Sequence, residues 1–225
     1  MKQLTSEIQD TGTLLDLGRA SVQIVHDLKN QLNGLKLYAT FLRKRMEKNE
    51  RPEDERETVA KLIAGLERAA TDMTTLVRYG RPIELHKQPA VALGQILSSI
   101  RNGEAAATEG IELVMEDEKL QGEFDVAALS EALQAITKGA RNLLRNGGMP
   151  LKIQLRRDAS NHAEPHALIE WHDIEAKDKE ENVFRSFASS EALRMSLAAR
   201  IIEAHQGTAT QQANKLLVRL PIKES

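Results

Sequence analysis

The sequence predicts an α+β protein in two parts. A long antiparallel helical hairpin, paired with a second copy as a dimeric four-helix bundle, precedes an α/β sandwich. Three observations carry this. Apolar residues recur at steps of three and four through the first third of the chain. The pattern stops at Tyr79-Gly80-Arg81-Pro82, where glycine followed by proline ends a helix. Beyond it, short alternating segments are interleaved with helical ones. The expected parts are therefore 1–82 and 83–225.

In the first part, apolar or small residues fall at Leu14, Leu17, Ser21, Ile24, Leu28, Leu32, Leu35, Ala39 and Leu42. This is a coiled-coil seam with one four-residue stutter around Leu28. A second seam runs through Val59, Leu62, Leu66, Ala69, Met73 and Leu76. Between them Lys48-Asn49-Glu50-Arg51-Pro52-Glu53-Asp54-Glu55 reads as the turn joining two antiparallel helices. One such hairpin leaves much of its seam wet, and a second copy would bury it, so a homodimer is expected. With Ile24 and Leu28 on the seam, His26 points roughly opposite to it. Asp27 flanks His26, and Asn30 lies one turn further on the same side. A surface histidine beside an aspartate is usually only a solvated pair, so its helical placement is what singles it out.

In the second part, Val91 to Ile100 reads as a short helix and Ile111-Glu112-Leu113-Val114-Met115 as a strand. Asp125 can cap a helix through Leu129, Leu133 and Ile136 to about Leu144, closed by Asn146-Gly147-Gly148. The strands Lys152–Arg156 and Ala167–Trp171 alternate and pair across a polar loop. A charged loop, Glu175 to Asn182, leads to a helix from Glu191 to His205 ending at Gly207. Thr208–Gln212, a turn at Ala213-Asn214 and the strand Leu216–Leu220 finish the chain. The sheet is expected to be mostly antiparallel, with helices on one face.

Composition narrows the function classes. The 225 residues carry 31 Lys+Arg against 33 Asp+Glu, so no bulk charge favours nucleic acid or membrane. There are no cysteines, which excludes disulfides and thiolate metal sites. No signal-like leader and no span of about 20 apolar residues is visible, so a cytoplasmic location is expected. Aromatics make up 3% of residues, which points to an aliphatic core. His162 and His166 lie four apart, but around Pro165 in a loop, and no zinc site is expected. His172-Asp173 reads as strand-end surface, Trp171 as core and His205 as the last turn of a helix.

The segment His26-Asp27-Leu28-Lys29-Asn30-Gln31 resembles the phosphoacceptor motif of sensor histidine kinases, roughly His-(Glu/Asp)-x-(Lys/Arg)-(Asn/Thr)-Pro, with Gln31 in place of the proline. The resemblance runs through Tyr38, Leu42 and the second helix to Arg81-Pro82. The second part resembles the family's ATP-binding domain. Asp125-x3-Leu129-x3-Leu133 is similar to the lead-in to its asparagine-bearing helix, and Asn182 to Phe187 to its Phe-containing lid. Ile201-Ile202-Glu203-Ala204-His205-Gln206-Gly207 and Leu220-Pro221 are similar to its end.

The departures concern the nucleotide. The metal-holding asparagine should fall near Gly139, with a companion near Ala135, and neither is Asn. The family's Asp-x-Gly-x-Gly should follow Trp171, but here Asp173 is followed by no glycine through Asp178. The second glycine motif is replaced by Glu191-Ala192-Leu193-Arg194-Met195-Ser196-Leu197. A triphosphate needs backbone N–H groups, close chain approach and a cation, so ATP binding is expected to be lost.

The resemblance then implies a histidine phosphotransfer protein of two-component phosphorelay signalling, a phosphotransferase rather than an ATP-dependent kinase. It would relay a phosphoryl group between receiver aspartates through His26. Asp27 would orient the imidazole. Magnesium would be held by the receiver partner and no cofactor by this chain. Asn30 either positions a water for phosphatase chemistry or is a plain exposed amide. Lys29, Asn33, Lys36 and Leu37 are the candidates for receiver docking, with Thr71, Thr74 and Thr75 weaker ones. Lys29 reads more readily as a solvated helix charge, and Leu37 could equally be buried in the dimer, the commoner fate of a leucine. The competing classes are a non-catalytic dimeric scaffold that binds a response regulator, and an atypical active histidine kinase or phosphatase.

Overall fold

The computed structural model describes residues 25, 28–30, 32–44, 53–103, 110–144, 149–158, 165–175, 182–187 and 189–223. His26, Asp27, His162, the first seam up to Ile24 and the closing Asn146-Gly147-Gly148 lie outside them. The chain divides into two compact units, Met1–Pro82 and Ile83–Ser225.

In the first unit, the described residues 25, 28–30 and 32–44 are all helical and are labelled α1. The second helix, α2, spans Glu53–Gly80, so it takes the last three residues of the expected turn. Ala39 of α1 is buried with Val59 and Ile63 of α2, and Leu66 packs against them. The seam is thus only partly used within one chain. Leu28, Leu35 and Leu42, seven apart on α1, stay exposed, as do Leu62 and Leu76 on α2.

The second unit opens with β1, Gln88–Ala92, where the sequence reading began a helix. Ala90 has φ 55°, and the register shifts between Gln88 and Val91, so the segment is a bulged strand. It pairs antiparallel with β3, Gln121–Phe124. The helix α3 starts only at Leu93 and runs to Gly103. β2 is Ile111–Met115, and α4 is Val126–Asn142. Asp125 caps α4 as expected, its carboxylate accepting from the backbone N–H of Ala128 at 3.0 Å. β4, Leu151–Arg157, and β5, His166–Trp171, pair antiparallel. Then come α5, Ser190–Ala204, β6, Thr208–Gln212, and β7, Lys215–Pro221.

β2, β4, β5, β7 and β6 form one mixed sheet in that order. Only β2 and β4 run parallel. Inward residues of the central strands, Leu151, Ile153, Leu155, Ile169, Trp171 and Val218, are essentially buried. They meet Leu129, Leu133 and Ile136 of α4 and Ile201 and Ile202 of α5 in one aliphatic core. Gly207 ends the last helix for a packing reason. A Cβ there would stand 2.3 Å from the Arg219 carbonyl oxygen, so β6 approaches β7 only without a side chain. The left-handed turn itself falls on Gln206, φ 64°.

Candidate functional site

On the first unit, α1 and α2 set four of the sequence-selected residues around one shallow groove. Lys29, Lys36, Thr71 and Thr74 line it, with Glu67 and Ala70. Lys36 reaches across to Glu67 at 2.8 Å. Its hydrogen bond, and then its charge, hold the Glu67 carboxyl below the ordinary value. The threonine hydroxyls are turned back onto their own helix. Thr71 donates to the Glu67 carbonyl and Thr74 to the Ala70 carbonyl, each at 2.8 Å. Thr75 donates to the Thr71 carbonyl at 3.0 Å and is buried, so it presents nothing to a docking partner.

Asn30 and Asn33 are exposed on α1 and do not line the groove. Leu37 is 70% exposed, and Tyr38 and Phe41 stand with it at 70% and 65%. At the helical period Leu37 and Phe41, four apart, fall on one side of α1, while Tyr38 adjoins the row of Leu35 and Leu42. Of these three only Leu37 was selected for docking from the sequence. The available signal was that Phe41 is a large apolar residue out of phase with the seam.

In the second unit, the expected nucleotide side is a helix–helix contact. Gly139 is buried in the last turn of α4. A Cβ built there would stand 2.2 Å from Met195 Sδ and 2.8 Å from its Cγ. Met195, 2% exposed on α5, therefore lies directly against the backbone of α4. The neighbouring segments hold α5 in place. Ser189 caps it, accepting from Ala192 N–H at 3.1 Å. Ser196 donates to the Ser186 carbonyl at 2.9 Å. Phe184, in the segment that resembles a lid, is 3% exposed, and its N–H is taken by the Asn182 side chain. At the N-terminal end of α5, Glu191 accepts from the Asn142 amide of α4. Asp173 has φ 61° and is exposed, while Ile174 behind it is buried.

The computed structure superposes on the crystal structure of full-length ShkA in complex with AMPPNP with a TM-score of 0.66 and 14% identity. The match covers 90% of this chain but 45% of ShkA, so the chain spans less than half the length of that protein. The Acinetobacter baumannii histidine kinase AdeS matches with a TM-score of 0.55 and 16% identity, over 84% of this chain and 94% of that one. The chain has a histidine kinase-like fold. No family model and no curated protein matches the sequence. On this histidine kinase-like frame, α4 and α5 are the helices on which the sequence analysis expected asparagine and glycine.

Three other polar groups of this unit are structural. Trp171 Nε1 donates to Thr137 Oγ1 at 3.1 Å, and Thr137 donates to the Leu133 carbonyl at 2.7 Å, all in the core. His205 is buried, and its Nε2 accepts from the Asp125 backbone N–H at 3.0 Å. Its Nδ1 therefore carries the proton toward the Ile201 carbonyl, 2.8 Å away. Burial first, and the Lys87 charge after it, push its pKa below the ordinary histidine value. Asp125 also accepts from the His86 N–H at 2.8 Å, and these hydrogen bonds hold its carboxyl below the ordinary range. His166 stands on β5, and no group of three metal-binding side chains occurs among the described residues. No described helix is long and apolar enough to cross a membrane.

Proposed function

We propose that this chain is a histidine phosphotransfer protein of a two-component relay, accepting and returning a phosphoryl group at His26 without binding ATP. The contact of Met195 with Gly139 carries the second half of this reading. A nucleotide domain needs its phosphate side open to backbone N–H groups and a cation. Here the residue at the expected asparagine is glycine, and a methionine side chain uses the freed volume. The lid-like segment is anchored by Phe184 and Ser196, and no glycine-rich turn precedes α5.

The first half rests on the segment His26-Asp27-Leu28-Lys29-Asn30. The His26 imidazole would attack the phosphorus of a receiver's aspartyl phosphate. The P–O bond to the aspartate breaks, and the carboxylate leaves without needing a proton. Asp27 would hold the proton on the other ring nitrogen. Magnesium belongs to the receiver in this scheme. Exposed Leu37 and Phe41, one helical turn apart on α1, would offer an apolar surface for docking the receiver.

A homodimer completes the reading. Leu28, Leu35 and Leu42 form an exposed row at heptad spacing, matched by Leu62 and Leu76 on α2. These leucines are already about half buried, so covering each with a second copy is worth about 1 kcal/mol. The test is phosphoryl transfer from a receiver domain labelled on its aspartate. Label is expected on the native chain and absent from His26→Ala. Native chain that takes no label from any phosphorylated receiver, while still binding one, would favour the scaffold reading instead.

A further inference from the structure

Between the end of α2 at Gly80 and the start of β1 at Gln88 the chain has no regular structure. This connector is the covalent link between the two units. It is tied to the second unit through Asp125. Asp125 Oδ2 accepts from the His86 N–H at 2.8 Å, while Oδ1 caps α4. The backbone N–H of Asp125 in turn donates to His205 Nε2 at 3.0 Å. His205 stands at the end of α5 and is 1% exposed, with its Nδ1 proton on the Ile201 carbonyl. Three segments far apart in sequence thus meet in one run of hydrogen bonds, and a neutral imidazole is its last acceptor.

That run exists for one protonation state of the ring. A proton on Nε2 sets two donors against each other at the Asp125 N–H, and the bond between them is lost. The charged ring then acts on two neighbours with opposite sign. It attracts the Asp125 carboxylate and repels Lys87, which follows His86 in the connector. On its other sides the ring meets the Ile201 carbonyl of α5 and the Phe124 ring of β3, centroids 5.9 Å apart. Glu123 of β3 is taken by Lys223 at 2.8 Å. Burial first, and Lys87 after it, keep the ring neutral to lower pH than an ordinary histidine. A ring so enclosed takes up a proton only when its contacts open, so protonation and opening are one event.

We propose that His205 is a proton-operated latch on the connector. With a neutral ring, Asp125 is placed to hold the His86 N–H. With Nε2 protonated, the new N–H donates to the Asp125 carboxylate, the carboxylate gives up His86, and the connector comes free. The device depends neither on His26 nor on the contact between Met195 and Gly139.

The test uses the full chain carrying His86→Gln, which keeps the backbone N–H and removes the connector's own imidazole. NMR follows the His205 ring and amide hydrogen exchange from about pH 7.5 to about 5. As the ring takes its proton, protection of the amides at positions 86 and 125 should fall about tenfold, the loss of one hydrogen bond. The amides of Ile169 and Trp171, in the buried centre of the sheet, should keep theirs, which separates a local release from unfolding. Lys87→Gln, at an exposed position, should move the ring midpoint and the loss of protection together to higher pH. His205→Gln offers an acceptor that takes no proton, and should keep both amides protected throughout. Constant protection at 86 and 125 while the ring titrates overturns the proposal. So does a loss shared equally by Ile169 and Trp171, or a release midpoint that ignores Lys87→Gln.

Discussion

Gly139→Ala isolates the contact on which the proposed loss of nucleotide binding rests. The new methyl carbon would sit 2.2 Å from Met195 Sδ and 2.8 Å from its Cγ. Moving the sulfur alone does not relieve this, and Met195 is 2% exposed with little room to turn. Overpacking of this kind costs about 1–3 kcal/mol. Alanine regains about 1 kcal/mol over glycine inside a helix, leaving a net loss of about 1 kcal/mol. In a Met195→Ala background the obstructing atoms are gone and only the helix term is left. There, Gly139→Ala should stabilise by about 1 kcal/mol. The sign reverses, a coupling of about 2 kcal/mol. Met195→Ala alone should cost about 2–5 kcal/mol. Urea denaturation followed by the fluorescence of Trp171, the only tryptophan and fully buried in this unit, measures all four species. A stabilising Gly139→Ala in the native background would mean that no side chain covers Gly139.

The same fluorescence assay checks two further expectations. Thr137→Val removes the acceptor of the buried Trp171 N–H and should cost about 1–3 kcal/mol; no change in urea midpoint would mean that the bond contributes nothing. His205 is held below its ordinary 6.5, so the unfolded chain binds more protons. Its contribution is complete above that value and is lost as pH falls below it toward the lower folded-state value, so the urea midpoint should drop as pH is taken below about 6.5. His205→Gln should flatten that drop, and an equally steep profile would refute the assignment. Leu35→Glu with Leu42→Glu should shift the chain from dimer to monomer in sedimentation equilibrium, while a variant that stays dimeric would move the interface elsewhere.

The sequence exposed what depends on local pattern. Asp125 announces α4 because a carboxylate before an apolar period serves the free N–H groups of the first turn. β4 and β5 show their alternation because one face is core and the other is charged. The small β1–β3 sheet was not legible. Val91 and Ala92 continue the apolar pattern of α3, and Gln121-Gly122-Glu123-Phe124 is too short to alternate visibly. At the site, the missing asparagine and glycines were readable as absences. What replaces them was not, because Met195 meets Gly139 across a contact between two helices far apart in sequence.

Calorimetric titration of the full chain with ATP and magnesium tests the central claim most directly, since the proposal gives the space beside Gly139 to Met195 and not to a nucleotide. The account predicts no saturable heat at millimolar nucleotide. Saturable binding, with label from the γ-phosphate appearing on His26, would contradict it.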